Sequence, residues 1–158
     1  VMALAAMGEP EFYGYFRDLV RIGADGTFTI EPHDFERDLG PRRERGGTLD
    51  GRHRNVACSL QRVLEDVVLE LAAWLHAETG CKDLCMAGGV ALNCVMNAVV
   101  RDKGPFDTVW IQPAAGDAGT ALGAAFWVDG QLRPRADRTF RMNHAYWGPE
   151  YSETEVEA

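Results

Sequence analysis

The sequence predicts an α/β fold in which short parallel strands are joined by crossover helices. A long amphipathic stretch, residues 55–79, is followed by two short apolar runs, Leu84-Cys85-Met86-Ala87 and Thr108-Val109-Trp110-Ile111. Each run ends in a Gly-containing turn that leads into another helical pattern. Strands that alternate with helices in this way are joined by right-handed crossovers. Ligand sites in such folds lie at the carboxyl ends of the strands, where both turns fall.

In chain order, Gly8-Glu9-Pro10 is a turn, after which Phe12, Tyr15, Phe16, Leu19 and Val20 recur at helical spacing and predict a helix over residues 11–21. Ala24-Asp25-Gly26 turns the chain into Thr27-Phe28-Thr29-Ile30, whose β-branched and aromatic content suits a strand. Residues 37–54, rich in Gly, Arg and Asp and without periodicity, read as an exposed loop. Leu60, Val63, Leu64, Val67, Leu71, Trp74 and Leu75 then form one apolar stripe, and Gly80 is placed to stop the helix in a left-handed conformation. A helix over 91–101 follows the Gly88-Gly89 turn, and a helix of small residues over 118–128 follows the 112–116 loop. We divide the chain into a domain over 1–130 and, over 131–158, the end of that domain with a linker.

Composition narrows the function classes. The 158 residues are 46% hydrophobic, enough for a core, and their net charge of -8 disfavours adhesion to phosphate backbones or anionic lipid. No nucleic-acid or membrane partner is expected. No apolar run approaches the ~20 residues a membrane crossing needs. The start, Val1-Met2-Ala3-Leu4, lacks the pattern of a signal peptide and reads as cut from a longer chain, and a cytoplasmic location is the expectation. Cys58, Cys81, Cys85 and Cys94 show no CxxC spacing, and His33, His53, His76 and His144 are scattered, so reduced thiols are expected rather than zinc ligands.

Two segments could carry chemistry. In Ala87-Gly88-Gly89-Val90-Ala91-Leu92-Asn93, the glycines let backbone N–H groups approach an anion at a helix start, and a phosphate is a natural guest. A tight strand-to-helix turn explains the same glycines equally well. The pattern is neither GxGxxG nor a P-loop. Asn93 could donate to a phosphate or acyl oxygen and accept from a ribose hydroxyl, or simply serve the helix terminus. In Gln112-Pro113-Ala114-Ala115-Gly116-Asp117-Ala118-Gly119-Thr120, Asp117 could hold a metal ion, although Asp between a strand and a helix is also a favoured N-cap.

Leu84 to Cys94, Gly104-Pro105-Phe106-Asp107 and Trp110 to Gly119, which take in these two segments as far as Gly119, resemble the nodulation-type O-carbamoyltransferase family, whose members also act in antibiotic tailoring. Residues 1–10 resemble its segment just after a Gly-Lys pair, and Asn143-His144-Ala145-Tyr146-Trp147-Gly148-Pro149 resembles the end of its catalytic domain. The resemblance implies one lobe of an actin-like (ribonuclease H-like) ATPase fold, with a mixed sheet and flanking helices, from the C-terminal part of that domain. It implies transfer of a carbamoyl group from carbamoyl-adenylate, made from carbamoyl phosphate and ATP, to a hydroxyl of a sugar or natural product. Gly88, Gly89, Val90 and Asn93 would contact the adenylate, Gly8 would lie near its ribose, and Asp117 would bind a divalent metal, with iron the expectation. The metal's histidine ligands would lie in the other lobe and the adenylate-forming domain would follow residue 158, so the chain alone is expected to be inactive and able to form a homodimer. The alternatives are a tRNA threonylcarbamoyl-transfer enzyme of the same fold and a non-catalytic nucleotide-binding scaffold.

Overall fold

A computed structural model describes residues 1–134 and 141–157. The elements run α1 (Met2–Ala5), α2 (Tyr13–Asp18), β1 (Val20–Ile22), β2 (Phe28–Ile30), α3 (Phe35–Leu39), α4 (Gly51–Thr79), β3 (Asp83–Met86), α5 (Cys94–Lys103), β4 (Thr108–Ile111), α6 (Thr120–Leu132) and α7 (Glu153–Val156). Single 3-10 turns, Gly89–Leu92 and Asp117–Gly119, precede α5 and α6. The α/β class is as the sequence predicts. The chain forms two compact units, Val1–Leu84 with Asn93–Trp110, and Cys85–Leu92 with Ile111–Ala158.

The first unit is organised on α4, which packs against α1, α2 and α5. Phe16, Leu39, Val63 and Val67 form its buried centre, with Phe12, Tyr15, Leu19 and Leu71 packed around them. Each fully buried Val or Phe of this kind contributes about 1.5–3 kcal/mol. Polar links fix the rest: the Phe12 N–H donates to Ser59 Oγ at 2.9 Å, and the Tyr13 hydroxyl donates to Asp66 at 2.8 Å. Gly80 ends α4 at φ 63°, the left-handed stop the sequence predicts.

Several boundaries differ from the sequence reading. The predicted helix over 11–21 is only Tyr13–Asp18, because Val20 to Ile22 pair antiparallel with β2, Val20 opposite Ile30. β-branched residues favour that extended state once a partner strand is near. The predicted loop over 37–54 is partly helical. Asp34 and Asp50 cap α3 and α4 by accepting from the backbone N–H groups of Arg37 and His53, at 3.2 and 3.1 Å.

The predicted stripe on α4 is also redistributed. Leu60 is 42% exposed, whereas Gln61 and Glu65 are buried, because α4 is covered on the α5 side as well as the α2 side. The helix after Gly88-Gly89 starts at Cys94 rather than 91, and the helix after Asp117 starts at Thr120 rather than 118, each behind its 3-10 turn. That last helix has no buried residue and exposes Trp127 and Leu132.

The strands form two separate pairs among the described residues, β1 with β2 and β3 with β4, rather than one mixed sheet. Each pair is joined by a connection local in sequence, a hairpin for the first and the α5 crossover for the second. The Thr108 N–H donates to the Lys82 carbonyl and the Gln112 N–H to the Met86 carbonyl, so β3 and β4 run parallel as expected. No helix among the described residues is long and apolar enough to cross a membrane. Part of the expected linker over 131–158 lies outside the described residues.

The α4 cap gives a pH prediction. The N–H of His53 holds the Asp50 carboxyl below the usual carboxylate range, the imidazole adding to the effect. A carboxyl with a lowered folded pKa stabilises above its unfolded pKa, about 3.9, and that stability is lost as pH falls through the lower folded value. Acid titration of the chain by circular dichroism is therefore expected to show helix loss beginning below about pH 4 that is smaller in Asp50→Asn, whose amide caps without titrating.

Candidate functional site

In the second unit, β3 runs into Ala87-Gly88, and Gly88 turns at φ 102°, a conformation that L side chains rarely adopt. Its N–H donates to the Ala115 carbonyl at 2.7 Å, which brings the two sequence motifs together. The Ala91 N–H donates back to the Gly88 carbonyl at 3.0 Å and closes the 3-10 turn. The N–H groups of Gly89 and Val90 make no hydrogen bond among the described residues. They are two adjacent donors at the carboxyl end of a parallel strand, the geometry that suits an anion.

The two glycines have different physical requirements. Gly88 needs its positive φ. Gly89 has ordinary φ, and a Cβ built on it meets no atom within 4 Å. Nothing within the described chain demands a glycine there, whereas a ligand lying against the backbone would.

The facing loop is tightly determined. A Cβ on Gly119 would overlap the Ala114 carbonyl oxygen, and one on Gly116 would press on Leu92 at 3.1 Å. Asp117 is exposed, and its carboxylate makes no hydrogen bond among the described residues. Gly116 and Gly119 hold the positions before the 3-10 turn and α6, so the capping role weighed for Asp117 is not realised. The side-chain oxygen of Gln112 is buried without a partner among the described residues.

In the first unit, Asn93 is the N-cap of α5. Its Oδ1 accepts from the Met96 N–H at 3.0 Å and from Gln61 Nε2 at 3.2 Å, while its Nδ2 donates to Gln61 Oε1 at 2.8 Å. Both oxygen lone pairs are engaged. The accepting role for Asn93 toward a ribose hydroxyl is therefore not open, whereas one N–H remains to donate. Gln61 and Glu65 were missed in the sequence, where polar residues on a long helix read as its solvent face.

Gly8 has a packing requirement of its own, since a Cβ there would overlap the Arg54 carbonyl at the start of α4. The Gly104 to Asp107 motif is also structural in part: Phe106 is buried against His76, and the Asp107 N–H donates to the Lys82 carbonyl at 2.8 Å. A groove lined by Leu4, Phe35, Leu39, Pro41 and Val56 opens elsewhere in this unit and includes none of the predicted site residues.

No group of three His, Cys, Asp or Glu side chains among the described residues can hold an ion, and one exposed carboxylate does not by itself make a site. Cys58, Cys81, Cys85 and Cys94 are free thiols, as expected.

A family model described as the carbamoyltransferase N-terminus matches residues 1–126, which include both glycine turns and the α5 and β4 segment between them. The chain belongs to this carbamoyltransferase family. It is 39% identical over 176 residues to an uncharacterized protein of Synechocystis, covering 99% of this chain and 28% of that protein. It is 37% identical over 158 residues to nodulation protein NolO of Bradyrhizobium diazoefficiens, covering 95% of this chain and 28% of NolO. It is 36% identical over 164 residues to nodulation protein NolNO of Sinorhizobium fredii, covering 95% and 22%. This carbamoyltransferase-family chain thus spans about a quarter of the length of the curated relatives it matches.

Proposed function

We propose that the complete protein is an O-carbamoyltransferase, in which this chain is the second lobe of an actin-like catalytic domain and binds carbamoyl-adenylate. The observation that carries the reading is the pair of unbonded N–H groups at Gly89 and Val90, the first of them on a glycine that the packing of the described residues does not require. Belonging to a carbamoyltransferase family supplies the chemistry this pair would serve.

In the proposed reaction the acceptor hydroxyl oxygen bonds to the carbamoyl carbon, and the bond from that carbon to the adenylate phosphate oxygen breaks. The hydroxyl proton leaves to a base outside this chain, and AMP departs. Gly89 and Val90 would donate to the phosphate, whose negative charge persists in the departing AMP, and Asn93 would offer its free N–H to the adenylate. The lobe's contribution is positioning. Asp117 would contribute one ligand to a metal completed by residues outside the chain. A sugar or natural-product hydroxyl is the acceptor class, and the net charge of -8 favours it over a tRNA acceptor.

Product stoichiometry tests the reaction. Given carbamoyl phosphate, ATP and a hydroxyl acceptor, the complete protein is expected to release one AMP per carbamate ester formed. Ester formed with no AMP would overturn the adenylate route.

Gly89→Ala tests the site. Because a Cβ there meets open space, folding should be unchanged or favoured by up to about 1 kcal/mol. AMP affinity measured by calorimetry on the complete protein should fall at least about tenfold, the cost of weakening hydrogen bonds to a charged group. Unchanged affinity would show that the turn is only a turn.

A further inference from the structure

Three polar side chains are stacked between α4 and α5 where apolar packing would be ordinary. Gln61 and Glu65 are 5% and 4% exposed, and Asn93 stands at the start of α5 beside them. Burying a carboxylate and an amide against a second, half-buried amide is costly unless every hydrogen-bonding group is matched, and a matched set fixes the direction of each amide.

The directions follow from groups that have no choice. The Met96 backbone N–H can only donate, so it faces Asn93 Oδ1, at 3.0 Å. The Glu65 carboxylate is an acceptor, so it faces the amide nitrogen of Gln61, and Gln61 Nε2 donates to Glu65 Oε1 at 2.9 Å. Between them the two amides pair head to tail: Gln61 Nε2 donates to Asn93 Oδ1 at 3.2 Å, and Asn93 Nδ2 donates to Gln61 Oε1 at 2.8 Å. Arg62 Nη1 completes the carboxylate by donating to Glu65 Oε2 at 3.3 Å. Both hydrogens of Gln61 Nε2 and both lone pairs of Asn93 Oδ1 are then used. One Asn93 N–H is left over among the described residues.

We propose that Gln61, itself directed by Glu65, is a positioning residue held against the Met96-capped Asn93 amide, where it occupies the second Oδ1 lone pair and one Nδ2 hydrogen, so that Asn93 presents a ligand with an N–H donor and no acceptor. The ligand atom it meets is accordingly an acceptor, a phosphate, carbonyl or ether oxygen or a ring nitrogen. This rests on the reading that Asn93 contacts the adenylate. A helix cap alone would need only the bond to the Met96 N–H. The buried Gln61 and Glu65 fix the remaining valences of the same amide.

The test uses the complete protein, AMP as probe, calorimetry for affinity and thermal unfolding for structure. Asn93→Asp keeps the cap but removes the donor, and AMP affinity is expected to fall at least about tenfold, with the protein still folded at a lowered melting temperature because Gln61 Oε1 loses its donor. Gln61→Glu combined with Glu65→Gln keeps the volume, the charge and a hydrogen bond between the two positions. Position 61 then offers Asn93 Oδ1 no donor. That double variant is expected to lose AMP affinity by a similar factor while still folding, and adding Asn93→Asp to it should cause little further loss.

Wild-type affinity in the folded double variant, together with loss in Asn93→Asp, would overturn the positioning role and leave the adenylate reading intact. Wild-type affinity in Asn93→Asp would overturn the donor assignment and the placement of Asn93 at the adenylate. Should the double variant fail to fold, Gln61→Leu alone decides. It removes both hydrogen bonds to the Asn93 amide and leaves only the Met96 cap, and AMP affinity is expected to fall about threefold or more. Unchanged affinity in that variant would overturn the proposal.

Discussion

Asp117→Asn in the complete protein is expected to lower carbamoyl transfer by at least about tenfold while leaving folding unchanged, because in our proposal it removes a metal ligand, and changes to residues that merely support such ligands cost about 10–100-fold. The expectation on folding comes directly from the geometry. The Asp117 carboxylate is exposed and makes no hydrogen bond among the described residues, and the positions before the 3-10 turn and α6 are held by Gly116 and Gly119. A side chain that caps nothing has no cap to lose. Asp117→Ala should therefore unfold at the same temperature as Asp117→Asn, without the additional 0.5–2 kcal/mol or so that loss of a working N-cap brings. Transfer assayed with radiolabelled carbamoyl phosphate and melting by calorimetry are the readouts. Full activity in the Asn variant would remove Asp117 from the site, and a stability gap between the two variants would restore the capping role.

Met96→Ala is expected to have the largest effect on stability. Met96 and Val100 are both 0% exposed, one turn apart on α5, which packs on α4. Truncating a fully buried Met removes its transfer free energy and leaves a cavity, together about 2–5 kcal/mol. Met96→Leu, similar in volume, should cost less than about 1.5 kcal/mol. Urea denaturation of the chain followed by circular dichroism measures both. A loss in the Ala variant as small as in the Leu variant would contradict the packing of α5 on α4. Because Asn93 caps the same helix through the Met96 N–H, loosening α5 should also loosen the amide pair with Gln61.

The parts legible in the sequence were those whose signal is long or local. Residues 55–79 of α4 carry a sustained helical period with a glycine stop, and the two strand-to-turn junctions follow from short apolar runs that lead into Gly88 and into the Ala115-Gly116 pair. Three residues, Val20 to Ile22, are too few to separate a period of 3.6 from a period of 2, so their pairing with β2 was read as more helix. The starts of α3 and α4 were hidden because Asp34 and Asp50 sit in a polar stretch with no apolar period to announce a cap.

The candidate site divides in the same way. Gly88 to Val90 and Asp117 stand in local motifs. Gln61 and Glu65 become buried only because Asn93, 32 residues after Gln61, is folded against them. Gly8 is required by the Arg54 carbonyl, a contact just as distant in sequence. A polar residue on a helix at four-residue spacing from another was the available signal, and it is shared by every solvated helix face.

Hydrogen exchange at the Gly89 and Val90 amides tests the central claim most directly. These N–H groups make no hydrogen bond among the described residues, so they should exchange rapidly in the ligand-free protein. On addition of AMP to the complete protein, a peptide spanning residues 86–92 is expected to gain protection at those two amides, and the gain should disappear in Gly89→Ala. AMP binding that protects other regions and leaves this peptide unchanged would contradict the account.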